Sequence, residues 1–171
     1  IKKAPKIKII LYNFEKLSSF LFTIKFVEKL VHDFPKNIIG VKDSSYNLYE
    51  NLDIKNFLVF PGSEAKLFKS LSIGCSGTIS AITQVTHSLA RKVFDDFEKD
   101  KKQTQNEKLI SVRETFDHYN LISALHTFFA SKDNNFSNLL PPLILLSPEE
   151  KKDLFKKLES LKFALNENMA A

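Results

Sequence analysis

Short runs rich in β-branched apolar residues alternate with helix-like stretches through the first hundred residues, at intervals of roughly 20 to 30 residues, and no hairpin turn joins two of the runs. Strands separated in this way pair in parallel, because parallel neighbours need a crossover connection. The runs are residues 6–12, 38–42 and 56–60, with a turn and a very short fourth run within 74–80. Residues 18–34 read as a helix with Ser18 or Ser19 as N-cap, stopped by Pro35. A short helical piece is expected after Ser45, from Leu48, Tyr49 and Leu52. Ser63 is placed to cap a helix reaching about Ile73, and Val85 begins another that carries Leu89, Val93 and Phe97 on one face as far as Lys99. Beyond Asp100 the character changes. A charged junction leads to helices over 105–119, 121–130 and 148–166, the last with Ser147 as N-cap, Pro148 at the first helical position, and Glu149 and Glu150 in the first turn. Residues 1–100 therefore read as repeated βα units and residues 101–171 as a helical appendage.

The stretch Asn37-Ile38-Ile39-Gly40-Val41-Lys42 carries almost no polarity until its end. A strand covered on both faces has this pattern. A lysine at its last position lies inside the protein, at the mouth of a pocket, or snorkelling to solvent. Burial disfavours the ammonium and leaves a nucleophilic amine suited to imine formation with a carbonyl compound. The other strand ends also carry polar or reactive groups: Tyr12, then Gly62-Ser63-Glu64, then Thr78 and Ser80. A βα barrel builds its active site from that edge. A doubly wound sheet does so too, but usually with a glycine-rich phosphate loop, and the chain has no such motif.

Composition narrows the classes. The formal charge is +5, with lysines interspersed among acids and no compact basic patch interleaved with aromatics, which argues against nucleic-acid binding. Cys75 is the one cysteine, so neither an internal disulfide nor a cysteine metal site can form. His32, His87, His118 and His126 lack metal-ligand spacing. No apolar run is long enough to span a membrane and no signal-peptide pattern opens the chain, so a cytoplasmic protein is expected. The first residue is Ile1, which suggests that residues upstream are missing.

Tyr12-Asn13, Gly40-Val41-Lys42-Asp43-Ser44-Ser45, Gly62-Ser63-Glu64, Gly77-Thr78-Ile79-Ser80, Pro141-Pro142-Leu143 and Ser147-Pro148-Glu149-Glu150, in this order, resemble the dihydrodipicolinate synthase / N-acetylneuraminate lyase family. The resemblance implies a class I aldolase on a (β/α)8 TIM barrel with a C-terminal helical domain, assembled as a tetramer or dimer, with no cofactor or metal. Lys42 would form a Schiff base with pyruvate or another 2-keto acid, and an aldehyde would be the second substrate. Tyr12 would relay protons, and Gly62, Ser63, Thr78, Ile79 and Ser80 would line the pocket.

The chain departs from the family pattern in three places. Glu15 stands where the family commonly has Pro, and Leu17 where true dihydrodipicolinate synthases place the Arg that holds the aldehyde's carboxylate. Lys16 next door lacks the bidentate fork. This favours another aldolase activity, such as one on 2-keto-3-deoxy sugar acids, over 4-hydroxy-tetrahydrodipicolinate synthase of lysine biosynthesis. Tyr46 stands where the family often has Gly. A complete barrel needs eight strands and about 250 residues, so four βα units represent its second half only. Two alternatives follow: a catalytically incompetent or partner-dependent half barrel awaiting an N-terminal half, and a regulatory protein that binds 2-keto acids without turning them over.

Overall fold

The computed structural model describes residue 1 and residues 3–164. Strands β1 (Ile9–Asn13), β2 (Ile38–Asp43) and β3 (Leu58–Pro61) lie side by side in that order, all parallel. Lys42 is flanked in register by Tyr12 and Phe60, and Gly40 by Ile10 and Leu58. Register partners share a face, so Ile10, Tyr12, Gly40, Lys42, Leu58 and Phe60 form one face of the sheet. Gly40 is required there, since a Cβ would stand 2.6 Å from the Leu58 carbonyl oxygen.

The opposite face, Leu11, Val41 and Val59, packs on helix α2 (Ile24–Asp33) through Ile24, Val27 and Val31, with Leu48, Tyr49 and Cys75 closing the cluster. Val27 and Val41 are fully buried. The first face has no such cover: Ile10 is 41% exposed, Tyr12 46% and Leu58 39%. The expectation of a strand buried on both faces is therefore corrected. β2 is closed on one side, and Lys42 lies half-buried on the other.

Three local expectations also change. The N-cap of α2 is Thr23, whose Oγ1 accepts from the Phe26 N–H at 3.2 Å. Ser18 and Ser19 instead end a single turn, α1 (Glu15–Ser18), with Ser19 left-handed at φ 55°. Phe20 and Phe22 thus precede α2 and pack edge-on with each other at 5.1 Å between ring centroids. No helix follows Ser45, because the Asp43 carboxylate gathers the N–H groups of Tyr46, Leu48 and Tyr49 into turns. No fourth strand forms among the described residues. Segment 75–80 runs along the outer edge of β3, where the Ser76 and Ile79 N–H groups reach the Val59 and Pro61 carbonyls at 2.9 and 3.3 Å. Gly77, at φ 141°, breaks the strand conformation between them.

β3 leads through a 3-10 turn, Glu64–Lys66, into α3 (Leu67–Ser72). Ser63 precedes that turn in extended conformation, without a side-chain capping bond. Helices α4 (Thr83–Glu98), α5 (Asn106–Asp117), α6 (Leu121–Ala130) and α7 (Pro148–Ser160) follow. Ser147 and Glu150 form the reciprocal capping box of α7, with Pro148 leading. α7 ends at Ser160; the rest of the expected helix runs into residues 165 and 166, outside the described residues. Two apolar clusters bridge the βα portion and the later helices. One joins Ile82 and Val85 to Val112, Phe116, Phe128 and Leu154, and the other joins Leu67, Leu71 and Val93 to Leu109.

Candidate active site

The carboxyl ends of the strands open into a cleft of about 530 Å³. Tyr12, Lys42 and Gly62 line it, one from each strand or the residue just after it. The Lys42 Nζ lies 4.0 Å from the centroid of the Tyr12 ring. The sequence places them together because each is the penultimate residue of its strand and the two strands are in register. The ring face holds the ammonium by cation–π attraction and shields it on one side.

Immediately beyond, the strand ends are locked. Asn13 and Asp43 are fully buried, and Asn13 Nδ2 donates to Asp43 Oδ1 at 2.8 Å and to Asn47 Oδ1 at 2.7 Å. Asn13 Oδ1 accepts from the Phe22 N–H, and Asn47 Nδ2 donates to the Phe22 carbonyl. These bonds fix the residues following Tyr12 and Lys42 relative to each other. Buried polar groups that satisfy one another in this way rigidify a site. Gly62 is also fixed, since its backbone passes so close to Ser44 that a Cβ would land on the Ser44 hydroxyl. Close approach, rather than turn conformation, accounts for this glycine.

Arg113, on α5, reaches the cleft from the helical portion. Its Nη1 donates to Glu64 Oε2 at 3.0 Å and to Ser80 Oγ at 2.9 Å, and its Nε donates to both Asp117 oxygens at 2.9 Å. Glu64 is fully buried and accepts a second bond from Thr86 Oγ1. Burial alone would pull the Arg113 pKa down, but the Asp117 hydrogen bond and the Glu64 charge outweigh it and hold the pKa above the usual value. Tyr46 also lines the cleft; burial raises its phenol pKa, with the Arg113 charge opposing.

Of the residues expected at the site, the cleft brings together Tyr12, Lys42 and Gly62. Ser63 is buried behind it. Ser80 meets the site through Arg113. The Thr78 hydroxyl donates to the Pro61 carbonyl and faces a neighbouring cleft with Phe60 and His87. Ile79 is exposed and lines neither cleft. Arg113 was missed, since it lies 49 positions from Glu64 in the chain. A signal existed: the chain uses lysine almost throughout, and Arg91 and Arg113 are its two arginines. Arg113 uses the planar fork that lysine lacks, whereas Arg91 is an exposed i,i+4 partner of Asp95.

A 2-dehydro-3-deoxy-phosphogluconate/2-dehydro-3-deoxy-6-phosphogalactonate aldolase of Saccharolobus solfataricus is 28% identical over 141 residues, covering 75% of this chain and 46% of that protein. An uncharacterized DapA-like lyase of Thermoplasma acidophilum is 31% identical over 86 residues, 46% of this chain and 28% of that one. Among solved structures, a dihydrodipicolinate synthase of Bacillus anthracis superposes with a TM-score of 0.78 at 19% identity, over 94% of this chain and 57% of that one. The YagE protein of E. coli K12, solved in complex with pyruvate, gives 0.73 at 21%, over 92% and 57%. The chain thus shares the α/β fold of these solved structures and spans 28% to 57% of the length of the proteins it matches here. The model of the dihydrodipicolinate synthetase family matches residues 1–161, so the chain belongs to that family of lyases and aldolases.

Proposed function

We propose that the chain carries the Schiff-base half of a class I aldolase acting on pyruvate or another 2-keto acid, with Lys42 as nucleophile and Tyr12 as proton relay. The observation that carries this reading is the register pairing of Tyr12 and Lys42 at the carboxyl edge of a parallel sheet, amine over ring at 4.0 Å. The Lys42 ammonium gives up one proton to solvent, the neutral amine adds to the keto carbon, and the oxygen leaves as water with a proton handed over by Tyr12, which recovers it from solvent. The iminium then accepts the electron pair released when the neighbouring carbon loses a proton or its bond to the aldehyde carbon. Protonation of the resulting enamine and hydrolysis of the imine return the keto acid and the amine. Leu17 at the cleft wall offers no fork for an aldehyde carboxylate, which favours 2-keto-3-deoxy sugar acids over the lysine-pathway aldehyde.

On this reading residues 1–100 are the second half of a TIM barrel and residues 101–171 its helical domain. The open sheet face, with Ile10, Tyr12 and Leu58 exposed, favours a second element: a partner half barrel that closes the face and completes the pocket. The test measures aldol cleavage and keto-acid-dependent borohydride trapping, for the chain alone and mixed with a separately made preceding half. Trapping on the chain alone, with turnover only on mixing, supports both parts of the proposal. Steady turnover by the chain alone refutes the need for a partner, and the absence of trapping in both samples refutes the Schiff base.

A further inference from the structure

Among the described non-glycine residues at positive φ, Ser19, Asn56, Asp100 and Lys162 are exposed turn positions outside the Lys42 cleft. Tyr46, at φ 60°, is the exception: an aromatic residue in a conformation that favours glycine, on the wall of that cleft. The conformation is enforced. The Tyr46 N–H donates to Asp43 Oδ1 at 2.9 Å, the ring meets Tyr49 edge-on at 6.2 Å, and the Lys66 ammonium lies 4.8 Å from its centroid. Strain of this kind, held in place by its surroundings, gathers where a side chain is aimed at a ligand.

The chemistry at that end of the cleft is polar, and its charges balance. Ser63, Arg113 and Asp117 lie within electrostatic reach of the phenol. Arg113 carries one positive charge against the two carboxylates it binds, Glu64 and Asp117. The cluster therefore offers no net attraction to a phosphate or carboxylate, and the fork is already engaged. Lys66 beside the ring offsets the excess carboxylate, Lys16 and Glu15 on the adjoining wall offset each other, and Leu17, Leu121 and Ile122 there add no charge. The group such a site takes is a neutral hydroxyl, which can accept from a phenol and be oriented without a counter-charge. Burial keeps the phenol proton in place well above neutral pH, so Tyr46 remains a donor.

We propose that Tyr46 is a specificity-determining residue of the Lys42 cleft, donating its phenolic hydrogen bond to an uncharged hydroxyl on the aldehyde-derived portion of a keto acid held at Lys42. The proposal rests on the imine reading of Lys42 and adds two statements to it: which side chain reads the distal end, and that the distal end is hydroxylated and unphosphorylated.

The test is saturation of borohydride trapping on the chain with three probes: pyruvate, 2-keto-3-deoxygluconate and its 6-phosphate. For the wild type, the unphosphorylated sugar acid is expected to saturate trapping at a lower concentration than pyruvate, with no gain from the phosphate. In Tyr46→Phe, the preference for the sugar acid over pyruvate is expected to fall about three- to tenfold, the loss of one neutral hydrogen bond. Should Tyr46→Phe fail to fold, Tyr46→Asn, which tolerates the left-handed backbone, is expected to show the same loss. An unchanged preference in the folded variant, or a wild type that prefers the phosphorylated probe, overturns the proposal while leaving the Lys42 imine intact. No trapping of any probe by the wild type overturns the Lys42 reading and this inference with it.

Discussion

The two faces of the three-stranded sheet have opposite characters. One is shut by α2, with Val41 buried completely between Leu11 and Val59. The other presents Ile10, Tyr12, Lys42 and Leu58 to open space. Each face also holds a side chain of nucleophilic type. Cys75 sits in the closed cluster, where burial and then the Asp43 charge push its thiol pKa up to about 11. Lys42 sits on the open face, half-buried beneath a phenol ring. Nucleophilicity follows accessibility and protonation together. The covered face accordingly serves stability, and the uncovered one is where reactive chemistry is possible.

The comparison breaks most plainly at Lys42. Lys42→Ala is expected to abolish keto-acid trapping while moving the unfolding midpoint little, since the side chain stands on the open face. A loss of folding instead of trapping, read by circular dichroism, would make Lys42 a structural residue.

Next in size is the joint between the sheet's rim and the helices. Arg113→Met leaves Glu64 buried without its cation, and removing one partner of a buried pair costs about 3–5 kcal/mol. Chemical denaturation is expected to show this loss, and Glu64→Gln in the Arg113→Met background is expected to recover part of it.

Within the sheet, Val41→Ala on the closed face is expected to cost about 2–3 kcal/mol by transfer and cavity terms. Leu58→Ala on the open face, where the side chain is 39% exposed, is expected to cost well under half of that. Equal losses in denaturant titrations would mean that the open face is covered in solution.

The smallest effect concerns Cys75. Its folded-state pKa of about 11 lies above the ordinary 9.0, so the native state holds the thiol proton more tightly than the unfolded chain does. That contribution is fully present below pH 9 and is lost as pH rises from about 9 toward 11. Alkylation of Cys75 in the folded chain at pH 8 is expected to be far slower than in denaturant.

Much of the fold was legible because its signals are local. Apolar runs without hairpins require parallel strands, and Ser147-Pro148-Glu149-Glu150 encodes a helix start that the capping box of α7 displays. The positions of Tyr12 and Lys42 at strand ends were legible in the apolar runs, and their joint role came from the family resemblance. Features set by side chains reaching across the chain were not legible. Asp43 takes the amides that a helix after Ser45 would have used, and Thr23 displaces Ser18 and Ser19 as the cap of α2. Gly77 turns the expected fourth strand into an irregular edge. Arg113 joins the cleft only through the packing of α5 against the turn that follows β3, which no periodicity reveals.

The most direct measurement of the central claim is peptide mapping of the chain after borohydride reduction in the presence of labelled pyruvate. The account predicts label on the peptide containing Lys42 and on no other lysine peptide, at one equivalent per chain, lost in Lys42→Ala. Label spread over the exposed lysines, or absent from the Lys42 peptide while other sites react, would contradict it.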